Sequence, residues 1–192
     1  VRHLDRLGAT HYQLDVHAKN PFLWPQVRSR LKAILSRENA DLVHVRSRAP
    51  AWIALPAAAA LGIATVSTVH GRFTTLSALK RIYNRKLLKT DHVIAISNYV
   101  RDLIISQHVE VENRLTVVHR GVDIDLFNPN NVNQTRIVNL VEGLAIPEDE
   151  PVIMLPARAT KWKGHRILLQ ALAKIKDRPF ICLMIGAGDG KP

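Results

Sequence analysis

Two cationic side chains flank the start of a predicted helix near the end of the chain. The apolar run 151–157 has the composition of a strand, Arg158 follows it, and Lys163 directly precedes Gly164, which opens an amphipathic helix. Parallel α/β sheets bind ligands beyond the carboxyl ends of their strands, where helix N-termini supply backbone donors. Arg158 can grip phosphate oxygens as a fork, and Lys163 can add a mobile charge. The pattern predicts a phosphate site, although two solvated loop cations would look the same.

A second motif lies upstream, in residues 114–129, RLTVVHRGVDIDLFNP. It joins a strand to Arg-Gly-Val-Asp, then Phe127 and Pro129. Together with an Arg followed five positions later by Lys-Gly, it resembles the retaining glycosyltransferases of family 4, of the bacterial envelope or lipopolysaccharide type. These enzymes have the GT-B fold of two facing Rossmann-like domains. The family's usual Asn before Gly-Val-Asp is Arg120 here, and its usual Gly before the diphosphate-binding Arg is Ala157.

The resemblance implies an activity. The full-length protein would move a hexosyl-type sugar from a nucleotide diphosphate sugar to a glycan or lipid-linked acceptor with retention, in lipopolysaccharide or other cell-envelope glycan synthesis. Arg158 and Lys163 would be catalytic, because they stabilise the charge that grows on the departing diphosphate. The donor-binding set would be Arg158, Lys163, Gly164, Gly186 and Gly188. These cations make a metal unnecessary, so we expect no metal ion and no other cofactor.

A histidine closes another predicted strand. His70 follows IATVSTV and precedes Gly71, which places it at the carboxyl edge of a sheet. A lone His after a strand is often hydrogen-bonded scaffold, but the resemblance implies a catalytic or positioning residue that faces the donor sugar. Further candidates on the acceptor side are His44, Arg46, Arg48, Gly71 and Ser97.

Each of these candidates also has a plain structural interpretation. His44 and the two arginines can meet an anionic acceptor or simply line a cleft. Ser97 is expected to cap the N-terminus of a helix, and Gly186 and Gly188 can be ordinary turn glycines.

Strand and helix signals alternate along the chain, as in parallel α/β proteins. The predicted fold class is therefore α/β, with a Rossmann-like parallel sheet in an incomplete N-terminal domain and the first β-α-β unit of a C-terminal domain. We predict three parts: an acceptor-side domain without its first strand, a linker with a short helix, and the start of a donor-binding domain. Their bounds are 1–127, 128–150 and 151–192. We expect such a fragment to be inactive alone.

Several elements follow from periodicity and caps. Helices are predicted over 25–39, 49–61 and 74–89, with a short one near 137–140. The second of these would be kinked at Pro56 or start late there, and a strand would begin at about His11.

The segment 71–90 contains six cations and no acid. If it is helical, Leu76, Leu79, Tyr83 and Leu87 form one stripe, which is typical of ordinary amphipathic packing. A basic surface helix can also bind anionic lipid, at roughly 1 kcal/mol per cation. We therefore predict peripheral contact with an anionic membrane through Arg72 to Lys89.

Composition limits the remaining function classes. The chain has 192 residues, of which 47% are hydrophobic and 22% charged, with a net charge of +11. This is typical of a globular protein, and the lone Cys182 favours a reducing compartment. We expect a cytoplasmic protein, at most peripheral on the inner face of the cytoplasmic membrane. Aromatic content is only 5% and no nucleic-acid motif occurs, so no nucleic-acid partner is expected. The alternatives are a non-catalytic GT-B-like binding protein and, less favoured, a basic nucleic-acid-binding Rossmann-like protein.

Overall fold

A computed structural model describes residues 7–15, 21–71 and 77–186 of the chain. Its chain forms two compact units, which we call unit 1 (Val1–Gly121) and unit 2 (Val122–Pro192). Three predicted positions lie outside the described residues: Arg72 at the start of the basic segment, Leu76 in its apolar stripe and Gly188 in the last turn.

Unit 1 is built on a parallel sheet of four strands in the order β1-β2-β3-β4. The strands are β1 (Leu42–Val45), β2 (Ala64–Val69), β3 (His92–Ala95) and β4 (Leu115–Val117). The helices are α1 (Trp24–Arg37), α2 (Arg48–Ala59), α3 (Ala78–Arg85) and α4 (Asn98–Ile105). The predicted parallel α/β architecture is confirmed. Because the strands are parallel, their carboxyl ends meet at one edge of the sheet.

The core of unit 1 lies between the sheet and its helices. Val69, Val93 and Ala95 are at most 1% exposed, as is Ile104 of α4. Helix α2 contributes several small side chains, and Ala51 is completely buried. Short side chains let this helix lie close to the strands, which accounts for the Ala-rich run in the sequence.

The helices of unit 1 share an aromatic cluster. Trp24 of α1 lies 5.9 Å from Trp52 of α2, measured between ring centroids. Trp52 in turn stacks on Tyr83 of α3 at 6.2 Å. The rings therefore join three consecutive helices outside the main core.

Three predicted elements differ in the structure. Residues 11–15 form no strand, so the strand predicted from His11 is wrong. Helix α2 does not start late at Pro56, which lies inside it; buried neighbours such as Ala57 and Ala58 hold that segment helical. Among the described residues, the predicted 74–89 helix is α-helical only over Ala78–Arg85 and then tightens into a 3₁₀ turn, Lys86–Leu88.

That tightening also breaks the predicted apolar stripe of α3. Leu87 is 3% exposed, whereas Leu79 is 78% exposed and Ile82 60%. A 3₁₀ turn advances each residue further around the axis than an α turn, so Leu87 no longer continues the line of Leu79. Instead, Asn84 faces the interior and is 3% exposed. The helix thus turns a polar residue inward and apolar residues outward.

Unit 2 contains a pair of parallel strands with one helix between them in the chain. The elements are α5 (Gln134–Gly143), β5 (Val152–Pro156), α6 (His165–Leu172) and β6 (Ile181–Ile185). Val152 pairs with Ile181, and the register continues to Pro156 and Ile185. Helix α5 confirms the short helix predicted near 137–140. Among the described residues of unit 2, Leu172 alone is buried.

Candidate functional site

His70 follows β2 directly and is exposed at the carboxyl edge of the unit 1 sheet. The segment after β4 reaches the same place, since the backbone N–H of Val118 donates to the carbonyl of Ala95 in β3. This brings Arg120 to His70, with 2.6 Å between its Nη2 and the ring Nδ1. The two residues lie fifty positions apart in the chain.

The contact with Arg120 determines which ring nitrogen of His70 holds the proton. A guanidinium has only N–H donors, so the Nδ1 of His70 must accept. The imidazole is then neutral and carries its proton on Nε2. His70 therefore offers a ligand an N–H donor rather than a lone pair.

Its surroundings also keep His70 neutral. The pKa of the imidazole lies below its ordinary value, chiefly because its neighbours remove part of its hydration and then because Arg120, Arg46 and His44 repel a second positive charge. Each cause disfavours the imidazolium. The hydrogen bond and the electrostatics therefore both favour the neutral imidazole.

The predicted acceptor-side residues divide into two groups. His44 lies in β1, and its Nε2 is 2.7 Å from the hydroxyl of Thr68 in β2, while Arg46 is exposed just after β1. Both residues lie close enough to His70 to lower the pKa of its imidazole.

Arg48 and Ser97 have structural contacts at helix starts. Arg48 is the first residue of α2, and its Nη1 donates to the buried Oδ1 of Asn84 at 2.8 Å. Ser97 caps α4 as predicted, with its hydroxyl accepting from the backbone N–H of Val100. Gly71 is half-buried and has open space where a side chain would begin.

In unit 2, Arg158 lies two residues beyond β5, and Lys163 directly precedes the glycine that starts α6. Backbone bonds shape the intervening turn: the N–H of Thr160 donates to the carbonyl of Arg158 at 2.7 Å, and the N–H of Lys163 donates to the carbonyl of Thr160 at 3.0 Å. Both cationic side chains are exposed. The Nζ of Lys163 lies 4.4 Å from the ring centroid of Trp162, which is itself 71% exposed.

Two glycines fix the backbone around these cations. Gly164 has φ +83°, a left-handed conformation that other residues rarely adopt, and its carbonyl accepts the first bond of α6 from Leu168. Gly186 follows β6, and a Cβ there would lie 2.2 Å from the carbonyl oxygen of Ala157. That space cannot hold a side chain, so the close approach of the two strand ends requires glycine.

Sequence reasoning missed polar groups on both units. Thr160 Oγ1 and His165 Nδ1 are buried without a hydrogen-bond partner on either side of the Lys161–Lys163 turn. Asn84 was missed because nothing in its local sequence marks it as buried. Thr160 and His165 could have been found from the sequence, because they are polar residues that flank the predicted ligand loop.

The sequence also contains an Asp-x-Asp pair, Asp123 and Asp125, two carboxylates of the type that bind divalent ions. Asp123 Oδ1 accepts the backbone N–H groups of Asp125 and Leu126, so this carboxylate caps its own turn. Across the described ranges, no group of three or more His, Cys, Asp or Glu side chains is placed to hold a metal ion. In the same ranges, no helix has the length and apolar character to cross a membrane.

Solved structures share the fold. A glycosyltransferase from Rickettsia africae matches 96% of this chain with a TM-score of 0.80 at 34% identity, and the match spans 49% of that protein. Anabaena HepE, solved with UDP and glucose, matches 97% of the chain and 50% of its own length with a TM-score of 0.78 at 17% identity. The predicted GT-B fold class agrees with these matches.

Sequence relatives point the same way. Spore coat protein SA of Bacillus subtilis is 24% identical over 159 residues, which are 81% of this chain and 42% of the relative. A D-inositol 3-phosphate glycosyltransferase of Mycolicibacterium smegmatis is 29% identical over 100 residues, 52% of this chain and 21% of the relative. The chain thus spans less than half the length of these curated relatives.

A family model matches residues 4–126 of the chain. This span contains the described strands and helices of unit 1. His70, Arg120 and the other candidates of unit 1 all lie inside the matched span. The chain belongs to Glycosyltransferase Family 4.

Proposed function

We propose that the protein transfers a sugar, with retention, from a nucleotide diphosphate sugar to a glycan or lipid-linked acceptor. The observation that carries this proposal, beside the family, is the placement of Arg158 and Lys163. Both are exposed, and both border the turn that leads from the carboxyl end of β5 into α6. A hexosyl donor and a role in lipopolysaccharide or other envelope glycan synthesis are part of the proposal.

The two cations have distinct tasks in the proposed reaction. As the bond between the sugar and the diphosphate breaks, negative charge grows on the leaving diphosphate. Arg158 binds that charge through parallel N–H groups, Lys163 follows it with a flexible ammonium, and the start of α6 adds backbone donors. Because these groups are in place before charge develops, they stabilise the transition state more than the ground state.

His70 takes a positioning role in this scheme. Its Nε2–H is available to a sugar hydroxyl or a phosphate oxygen, whereas its Nδ1 is occupied by Arg120. A neutral imidazole with a fixed tautomer is a hydrogen-bond donor of constant direction. We therefore assign His70 to orienting a substrate rather than to removing a proton.

The experiment measures sugar transfer and UDP release by the full-length protein, with UDP-glucose as the first donor because Anabaena HepE was solved with it. Arg158→Gln and Lys163→Gln should each lower kcat roughly 100-fold, as loss of one transition-state donor does. Lys174→Gln removes an exposed charge from the same unit, beyond the far end of α6, and should leave kcat unchanged. Wild-type turnover in both donor-site variants would reject the proposal.

Helix α3 supports a second part of the proposal, contact with an anionic membrane at the cytoplasmic face. Leu79 and Ile82 are exposed, and Lys80 and Arg81 are exposed beside them. Arg85 is partly neutralised, since its Nη2 lies 2.7 Å from Glu110. An uncovered apolar stripe bordered by cations matches the chemistry of an anionic lipid surface.

Vesicle sedimentation tests this contact. The protein should bind vesicles that contain phosphatidylglycerol and not vesicles of phosphatidylcholine alone. Leu79→Glu and Ile82→Glu should abolish binding, whereas Leu169→Glu, at an exposed leucine of α6, should not. Equal binding by all variants would show that α3 does not contact the membrane. That result would not affect the transferase proposal.

A further inference from the structure

The two edges of the unit 1 sheet differ in their acidic residues. At the amino edge acids and cations are mixed, since Asp91 precedes β3 two residues after Lys89, and Glu112 precedes β4 together with Arg114. At the carboxyl edge, the segments that follow the strands contain His70, Arg46 and Arg120 but neither Asp nor Glu. Those segments are 46–48, 70–71, 96–97 and 118–121. The carboxyl edge is therefore a concentrated positive surface.

Arg46 and Arg120 at this edge are set apart from the arginines that pair with acids in the described part of unit 1. The described ion pairs between arginines and acids in unit 1 involve Arg37, Arg85 and Arg101, which lie on helices away from this edge. Within the described ranges, neither Arg46 nor Arg120 forms an ion pair with a carboxylate.

Arg48 is set apart from the pair, since it donates to the buried Asn84. Among the described residues that follow the strands, Arg46 and Arg120 are the exposed arginines.

Arg120 uses only part of its set of N–H groups in the contact with His70. Its Nη2 donates to Nδ1 at 2.6 Å, which leaves further N–H groups of the planar guanidinium. The Nε2–H of His70 adds a third donor group beside the two guanidinium groups. A ligand with several acceptor oxygens and negative charge would satisfy all of them.

We propose that the acceptor sugar or lipid carries a phosphate or carboxylate group, which binds between Arg46 and Arg120 beside His70. This inference rests on the proposed transferase function and names the class of its acceptor. The replacement of the family's usual Asn by Arg120 is the feature that gives this chain its anionic preference. In this proposal, Arg120 contacts the acceptor and determines the preference for an anionic acceptor.

The test measures binding to the full-length protein by calorimetry, with glucose 6-phosphate, glucuronate and neutral glucose as probes. Glucose 6-phosphate should bind the wild type at least about tenfold tighter than it binds Arg120→Gln, the usual effect of losing a charge-assisted hydrogen bond. Arg101→Gln removes the same charge elsewhere on unit 1 and should match the wild type. Neutral glucose should show no difference among the three proteins.

A parallel titration with UDP-glucose separates the two sources of a phosphate group. The Kd for UDP-glucose should be the same in the wild type and Arg120→Gln, because the donor diphosphate is assigned to Arg158 and Lys163. Equal weakening of UDP-glucose and glucose 6-phosphate would overturn the acceptor assignment in favour of the donor. Indistinguishable binding of glucose and both anions by the wild type would overturn it as well.

Failure of the proposed transferase function has a different signature. In that case the wild type neither binds UDP-glucose nor releases UDP from it, whatever its response to glucose 6-phosphate. The acceptor inference fails alone when UDP-glucose is bound and consumed but Arg120→Gln leaves anion binding unchanged.

Discussion

Unit 1 and unit 2 hold their candidate residues in different ways. In unit 1, His70 is hydrogen-bonded to Arg120 and His44 to Thr68, and the sheet beneath them packs with its helices around a buried core. In unit 2, Arg158 and Lys163 are placed by backbone bonds of one turn and by glycines, while their side chains are exposed. The edge of unit 1 is thus shaped by tertiary packing, and the turn of unit 2 by local backbone geometry. The two should respond differently to substitution.

The largest contrast should come from a matched pair of isoleucines. Ile104 of α4 is 1% exposed, whereas Ile167 of α6 is 71% exposed. Ile104→Ala should lower the free energy of unfolding by about 2–5 kcal/mol, because it leaves a cavity in the core. Ile167→Ala should change it by less than about 0.5 kcal/mol. Urea denaturation followed by circular dichroism measures both, and similar losses would contradict the comparison.

A second substitution probes the backbone geometry of unit 2. Gly186→Ala should destabilise this unit by about 1–3 kcal/mol, because the new Cβ overlaps the carbonyl of Ala157. Gly143→Ala, in helix α5 with open space around it, should be neutral or stabilising by up to about 1 kcal/mol. Amide hydrogen exchange in β5 and β6 reports the difference. Unchanged protection in the Gly186 variant would show that the strand ends can separate without cost.

A third change affects only one helix of unit 1. Ser97→Ala removes the side-chain acceptor at the start of α4 and should cost about 1 kcal/mol. Ser97→Asp should restore most of the loss, since a carboxylate also caps and favours the positive end of the helix. If both variants unfold at the same urea concentration as the wild type, the cap contributes nothing measurable.

The smallest effect concerns a proton rather than folding. Arg120→Gln removes a positive charge beside His70 and should raise the pKa of the imidazole, because that charge now disfavours the imidazolium. Arg101→Gln should leave the pKa as it is in the wild type. NMR titration of the ring carbon-bound protons measures both. Because the hydrogen bond from Arg120 also favours the neutral ring, a lower pKa in the Arg120 variant would contradict both assigned effects.

Local signals in the sequence predicted most of the fold. The helix predicted over 25–39, the strand that ends at His70 and the cap at Ser97 all follow from periodicity or from a single preferred residue type. The same reasoning located the turn around Arg158 and Lys163, because strand, loop and helix start are adjacent in the chain.

Long-range contacts could not be predicted in this way. Arg120 and His70 meet only because β2 and β4 end at the same edge, and the sequence presents Arg120 merely as a departure from a motif. The clash that fixes Gly186 depends on the carbonyl of Ala157, a backbone atom that has no sequence signature. The outward stripe of α3 depends on a 3₁₀ turn and on Asn84 turning inward, against the usual pattern for an amphipathic helix.

The exposed indole of Trp162 has a spectroscopic consequence. It is the sole tryptophan of unit 2, and the ammonium of Lys163 lies over its ring, while Trp24 and Trp52 belong to the aromatic cluster of unit 1. The emission of Trp162 should be red-shifted, and a soluble quencher should reduce it. The tryptophans of the aromatic cluster should contribute a constant background. A diphosphate that draws Lys163 off the ring would change that emission, and Trp162→Phe would provide the blank. The protein thus carries its own fluorophore beside the turn proposed to bind the donor.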